Sequence, residues 1–324
     1  STEYWKGGFD GDGRIIDVNF ADIDGDGDQD LLEGVSDGFD SVYENIAGVF
    51  ADSHVLWRST YSEKTSSIAA GDVDGDGDMD IVTGTRNVKN HLYLGQGQSV
   101  SVTPNWSSVE SEDTRDIRLG DVDKDGDLDL LESNVDASSH IRLFSDGGYG
   151  TVTGWTSGTA ADTPDSAWGD IDGDGDLDFA VADYVNGPLI SYNGGQMIDQ
   201  TASWNDGRTD FTFSIALQDF DGDGDLDMAL GNIGDHDVRI YEYDDNIQGH
   251  TLFWSSENHI SGANVEGLVW VDHNGDGLLD LIVGNQAGEN FAVTMLEDSS
   301  PDIGDWEPSE DESTEDLVAG DISG

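Results

Sequence analysis

Cysteine is absent from the 324-residue chain, which excludes a disulfide framework and all thiol chemistry. An extracellular protein of this kind would be braced by metal instead. No long apolar run and no basic, apolar amino-terminal segment is present, so nothing reads as a membrane-inserting helix or a signal peptide. Basic residues are scarce: 12 Lys and Arg stand against 70 Asp and Glu, a formal net charge of −58. Nucleic acid and anionic lipid are bound by Lys and Arg that neutralise phosphate, so such a field excludes both as partners. Much exposed carboxylate with only four Lys suits a salty milieu, halophilic or marine, where ions screen self-repulsion within a few ångströms. Charge-driven disorder is excluded by the regular placement of the apolar residues and the nine Trp.

What is present is a repeat. The pattern DIDGDGDQD at Asp22 returns as DVDGDGDMD at Asp72, DVDKDGDLD at Asp121, DIDGDGDLD at Asp170, DFDGDGDLD at Asp219 and DHNGDGLLD at Asp272, and a further DISG begins at Asp321. The steps between first Asp residues are 50, 49, 49, 49, 53 and 49. Trp5, Trp57, Trp106, Trp155, Trp204, Trp254 and Trp306 recur in step with them. Short segments of period-two hydrophobicity flank each loop, which predicts strands. Four short antiparallel strands per unit and a period near fifty predict an all-β fold, a β-propeller of four-stranded blades of about 49 residues filling 1–324 as a single domain. Six blades read as complete. The seventh has only a first strand at Leu317–Gly320 and a last at Ser1–Trp5, shared between the two termini.

The loops carry the chemistry. Carboxylates at alternating positions of a curled loop converge on one point, and calcium takes six to eight oxygens at about 2.3–2.6 Å. Without a cation, carboxylates about 5 Å apart would repel by roughly 3 kcal/mol per pair at an effective dielectric near 20. Glycines at the fourth and sixth positions permit the left-handed backbone that the curl needs. The candidate ligands are Asp22, Asp24, Asp26, Asp28 and Asp30 in the first loop; Asp72, Asp74, Asp76, Asp78 and Asp80 in the second; and Asp121, Asp123, Asp125, Asp127 and Asp129 in the third. Asp170, Asp172, Asp174, Asp176 and Asp178 follow in the fourth, and Asp219, Asp221, Asp223, Asp225 and Asp227 in the fifth. The sixth offers Asp272, Asn274, Asp276, Leu278 and Asp280, which implies that the seventh position serves through its backbone carbonyl. About six Ca2+ ions are expected, one per complete loop, the sixth bound more weakly. An EF-hand is excluded because the twelfth position is Glu only at Glu33 and Glu132, and no flanking helices are readable.

These loops, with third strands such as Val42-Tyr43-Glu44-Asn45 followed by Gly48-Val49-Phe50, closely resemble FG-GAP/VCBS repeats. The resemblance implies a seven-bladed propeller with calcium between the first two strands of each blade and ligands met by other loops. Similar blades build integrin alpha-chain propellers, lectins and accessory domains of secreted polysaccharide-active enzymes.

Outside the loops, the recurrent Trp set reads as blade-to-blade packing rather than a series of sugar platforms, because a large aromatic at a constant strand position fills the wedge between sheets. His91 and His140 read as structural. No nucleophile elbow, HExxH, phosphate loop or Cys/His cluster occurs, so the chain is not expected to be an enzyme. Three functions remain: an extracellular or cell-surface, lectin-like adhesion module for a glycan or surface protein; a structural protein that self-associates, as into a filament; and a noncatalytic domain of a polysaccharide-active enzyme. The turns after the second strand, 36–40, 86–90, 183–188 and 234–237, vary most and lie opposite the calcium loops, which makes them the expected ligand contacts.

Overall fold

A computed structural model describes residues 13–150, 154–157, 162–194, 204–208, 211–233, 238–256, 264–286, 290–296, 301–303 and 317. Each Asp-rich loop joins two antiparallel strands, because the apolar residues on either side alternate and give both strands a face to bury. In the second repeat Glu63–Gly71 enters the loop and Asp80–Val88 leaves it, pairing Ile68 with Thr83 and Gly71 with Asp80. His91–Tyr93 and Trp106–Ser107 add the third and fourth strands. The same order recurs in the first repeat as Arg14–Ala21, Asp30–Gly38, Ser41–Tyr43 and Val55–Arg58. It recurs in the fifth as Phe211–Gln218, Asp227–Ile233, Val238–Asp244 and Gly249–Ser255, and in the sixth as Val265–Val271, Asp280–Asn285, Phe291–Met295 and Pro301–Ile303. No helix occurs among the described residues.

The third and fourth repeats depart from the expected pattern at their outer edges. After Glu112–Gly120, Asp129–Val135 and His140–Arg142, the third turns into a small ribbon of Phe144–Ser145 against Gly148–Tyr149. The fourth has Ser166–Gly169, Asp178–Val181 and Leu189–Ser191, and its fourth member is a single bridge between Ile190 and Trp204. Pro164 and Pro188 precede two of these short strands, and proline has no N–H to give a ladder.

The chain divides into two compact units, Ser1–Gly154 with Gly320–Gly324, and Trp155–Ala319. Within the first, the ends of the second strands pair with the next repeat, Ser36 with Lys64 and Arg86 with Asp113, so its three repeats share one sheet. The apolar cores lie between successive repeats. Leu32, Val42 and Trp57 of the first repeat pack with Ile68, Ile81 and Tyr93 of the second. In the second unit Ile171, Ala180 and Ile190 meet Ile215, Met228 and Tyr241. The recurrent Trp residues take part in this packing. Trp57, Trp106 and Trp204 meet Tyr93, Tyr149 and Tyr241 of the following repeat edge-on, with centroids 5.0, 5.2 and 5.5 Å apart.

In five repeats a β-bulge interrupts the first strand pair at the same place, skipping Ile16, Ser66, Arg115, Phe213 and Glu266 in turn. The turn at 234–237 and, apart from Leu317, the seventh repeat, with Trp5, Trp306 and Asp321, lie outside the described residues.

Candidate metal-binding loops

The loop backbone takes the left-handed turns that glycine allows: φ is 69° at Gly75 and 94° at Gly77, and the other loops follow. Lys124 adopts the same conformation, at 60°, where the other loops have glycine. This curl points successive N–H groups inward. The sixth-position N–H donates to Oδ2 of the first Asp in all six loops, at 3.0 Å from Gly77 to Asp72 and 2.9 Å from Gly175 to Asp170. The seventh-position N–H donates to Oδ1 of the fifth, as from Asp78 to Asp76 at 2.9 Å and from Leu278 to Asp276 at 2.9 Å.

The ninth position starts the second strand and is buried. Asp80 accepts Val73 N–H on Oδ2 at 2.7 Å and Gly95 N–H on Oδ1 at 2.6 Å, so one carboxylate ties the loop's start to the chain beyond the third strand. Asp30, Asp129, Asp178, Asp227 and Asp280 make the same pair of bonds. Each oxygen has a second lone pair left for a cation. Burial pushes the carboxyls of Asp30 and Asp80 up to about 6 and those of Asp129, Asp178 and Asp227 up to about 7, against the pull of the two N–H donors. Burial and the adjacent fifth-position charge also raise Asp24, Asp74, Asp123 and Asp172 at the third position.

Positions 1, 3 and 9 converge. One oxygen from each lies within 4.8 Å of the others in Asp22/Asp24/Asp30, Asp72/Asp74/Asp80, Asp121/Asp123/Asp129 and Asp170/Asp172/Asp178. Asp26, Asp76, Asp125 and Asp174 at the fifth position and Asp28, Asp78, Asp127 and Asp176 at the seventh are not members of these groups. Oδ1 of Asp72, Asp74 and Asp170 is buried with no hydrogen-bond partner. Orphaned, mutually repelling, oxygen-only donors fit a hard divalent cation, with the first, third and ninth side chains holding it.

Two pairs of successive loops are joined, the second to the third and the fourth to the fifth. Leu128 N–H donates to the Val73 carbonyl at 2.9 Å and Leu226 N–H to that of Ile171 at 3.1 Å, carrying the eighth position of one loop onto the second position of the loop before it. The sixth loop differs at a place the sequence reading passed over. Its second position is His273 where the others are apolar, and His273 Nδ1 contacts Asp280 Oδ2.

A separate group, Glu112, Glu132 and His140, gathers at the third repeat, and Glu132 and His140 are buried. Arg142 occupies its centre, with Nε 2.6 Å from Glu132 Oε2 and Nη2 2.8 Å from His140 Nε2, so a guanidinium already supplies the positive charge there. His91 and His140, equivalent in the repeat, each face a glutamate one period apart, at 3.0 Å from Glu63 and 3.5 Å from Glu112.

No curated protein matches the chain. Among solved structures it is similar to a crystal structure of BBS1N in complex with ARL6DN soaked with mercury, at 12% identity and a TM-score of 0.55 over 86% of this chain and 77% of that one. A second, soaked with lead, gives 11% identity and a TM-score of 0.56 over 90% and 83%. At these identities the likeness speaks for the fold alone, and that fold is the β-propeller type, all-β and built of four-stranded antiparallel blades. The model of an FG-GAP-like repeat matches residues 22–83, 72–132, 170–230 and 219–283, each match running from one Asp-rich loop into the second strand beyond the next. The matches cover most of the chain and are registered on the loops, so the chain belongs to the FG-GAP-like repeat family.

Proposed function

We propose that this chain is a calcium-loaded recognition module that acts outside the cell, offering the turns opposite its Asp-rich loops to a glycan or a surface protein. The observation that carries the reading is the convergence of the first, third and ninth side chains with orphaned oxygens among them. Calcium satisfies those oxygens, offsets the repulsion between them, and fixes the loop that begins each second strand. The blades then hold the opposite turns rigidly, and binding rather than catalysis is the use that a rigid, varied set of turns supports. Asn274, Leu278 and the His273 contact leave the sixth loop with less charge for a cation, so it binds most weakly.

Equilibrium dialysis tests the metal, with about six Ca2+ per chain expected and fewer than three contradicting the reading. Glycan-array binding with and without chelator tests the recognition role. Binding that survives complete calcium removal would detach recognition from the loops.

A further inference from the structure

Basic side chains are so few that where they gather is informative. Arg86 lies near the end of the second strand of its repeat and pairs in register with Asp113, at the edge where the second and third repeats meet. The ladder then skips Asn87, whose φ is 59°. Arg115, two residues beyond Asp113, is the bulge residue of its own strand pair. A bulge re-aims the side chain it carries. The corresponding bulge positions hold Ile16, Ser66, Phe213 and Glu266, so the fold does not require a cation there.

Arg115 takes both oxygens of Asp113, Nε at 3.1 Å from Oδ1 and Nη2 at 3.3 Å from Oδ2. Arg86 is half-buried and makes no hydrogen bond or ion pair among the described residues. Burial disfavours its charge, and Arg115 and the exposed Arg14 add to that against the opposing pull of Asp113. A chain of net charge −58 has carboxylates in excess, yet the charges that bear on this guanidinium are two other guanidiniums and one carboxylate, Asp113, which Arg115 already holds. Local conflict of this kind, without a structural return, marks a site built for something else.

We propose that Arg86, at the repeat edge it shares with the ion pair of Arg115 and Asp113, binds a single carboxylate or sulfate group carried on an acidic sugar, at the end of the first unit opposite its Asp-rich loops. A guanidinium presents a planar fork of donors that matches such a group in bidentate fashion. A single charge suits the place, because a polyanion would meet the field of the whole acidic molecule beyond the screening distance of about 8 Å at physiological salt. The proposal rests on the recognition reading above and names its ligand class.

The test is calorimetric titration of the calcium-loaded chain with galacturonic acid, a monosulfated galactose, inorganic sulfate and neutral galactose, repeated on Arg86→Gln. The acidic sugars are expected to bind at least tenfold tighter than the neutral one, and Arg86→Gln to lose at least tenfold for the acidic sugars alone. Its melting temperature should hold or rise, since the removed cation is half-buried and makes no side-chain hydrogen bond or ion pair among the described residues. A fall of several degrees would assign Arg86 a structural role and overturn the proposal, as would unchanged binding in the variant. Binding of the neutral sugar with no preference for acid overturns the anion site and leaves the recognition reading standing. Failure of every sugar and of sulfate overturns the anion site, while the recognition reading stands or falls on the glycan array.

Discussion

Asp80 shows how one side chain serves both fold and site. Its carboxylate accepts two buried N–H groups, from Val73 and Gly95, before any cation is considered. Asp80→Ala therefore leaves two buried donors without acceptors, a loss of about 2–5 kcal/mol that chemical denaturation should register even in metal-free buffer. Asp78 accepts only the exposed Gly97 N–H, so Asp78→Ala should lower stability by about 1 kcal/mol or less and keep the ion, whereas Asp80→Ala should bind one ion fewer. Loss of an ion in Asp78→Ala with retention in Asp80→Ala would reverse the ligand assignment. The ninth-position carboxyls of the first five loops also set a pH dependence. Their folded values, about 6 to 7, lie above the ordinary 3.8, so in the metal-free protein the folded state holds protons that the unfolded chain has released. That contribution is complete below pH 3.8 and is lost as pH rises through about 6 to 7. Metal-stripped protein should melt lower at pH 8 than at pH 5.5, and saturating calcium should reverse the order, because the ion displaces those protons. Scanning calorimetry at the two pH values decides it.

At the scale of the blade, the recurrent Trp residues join one sheet to the next. Trp57 is 3% exposed, donates Nε1–H to the Ser101 carbonyl at 2.8 Å, and sets its edge against Tyr93 of the second repeat. Trp57→Ala should cost about 3–5 kcal/mol, and Trp57→Phe distinctly less, measured by urea unfolding. The blade was readable because its markers are chemically costly to misplace: an acidic loop without a cation repels itself, and a Trp without a wedge to fill is exposed. Other features left no such mark. The short strands of the fourth repeat begin just after Pro164 and Pro188, and how far each then runs is something strand-forming residues alone do not reveal. The double hydrogen bonding of Asp80 joins residues that only the folded ladder brings together. Arg86 and Arg115 belong to different repeats and meet through a register with two bulges, so period-two alternation places neither. His273 was the one legible exception, a lone polar residue at a position otherwise apolar in every loop.

Over the whole molecule, the formal charge of −58 acts on stability independently of the loops. Self-repulsion among exposed carboxylates weakens as the screening length falls from about 10 Å at 0.1 M salt to about 3 Å at 1 M. At fixed calcium saturation, molar NaCl should raise the melting temperature, and a flat profile would remove the case for a saline habitat. The bonds from Leu128 to Val73 and from Leu226 to Ile171 have a further effect. On the proposed calcium reading they should couple the second loop to the third and the fourth to the fifth, as spins are coupled in a one-dimensional magnet, so that a filled loop lowers the free energy of ordering its partner. Occupancy of each joined pair should then rise together, and calcium titrations should be steeper than the isotherm of independent sites, with a Hill slope above one. As calcium falls, the sixth loop, with the fewest carboxylates, should be the first to empty.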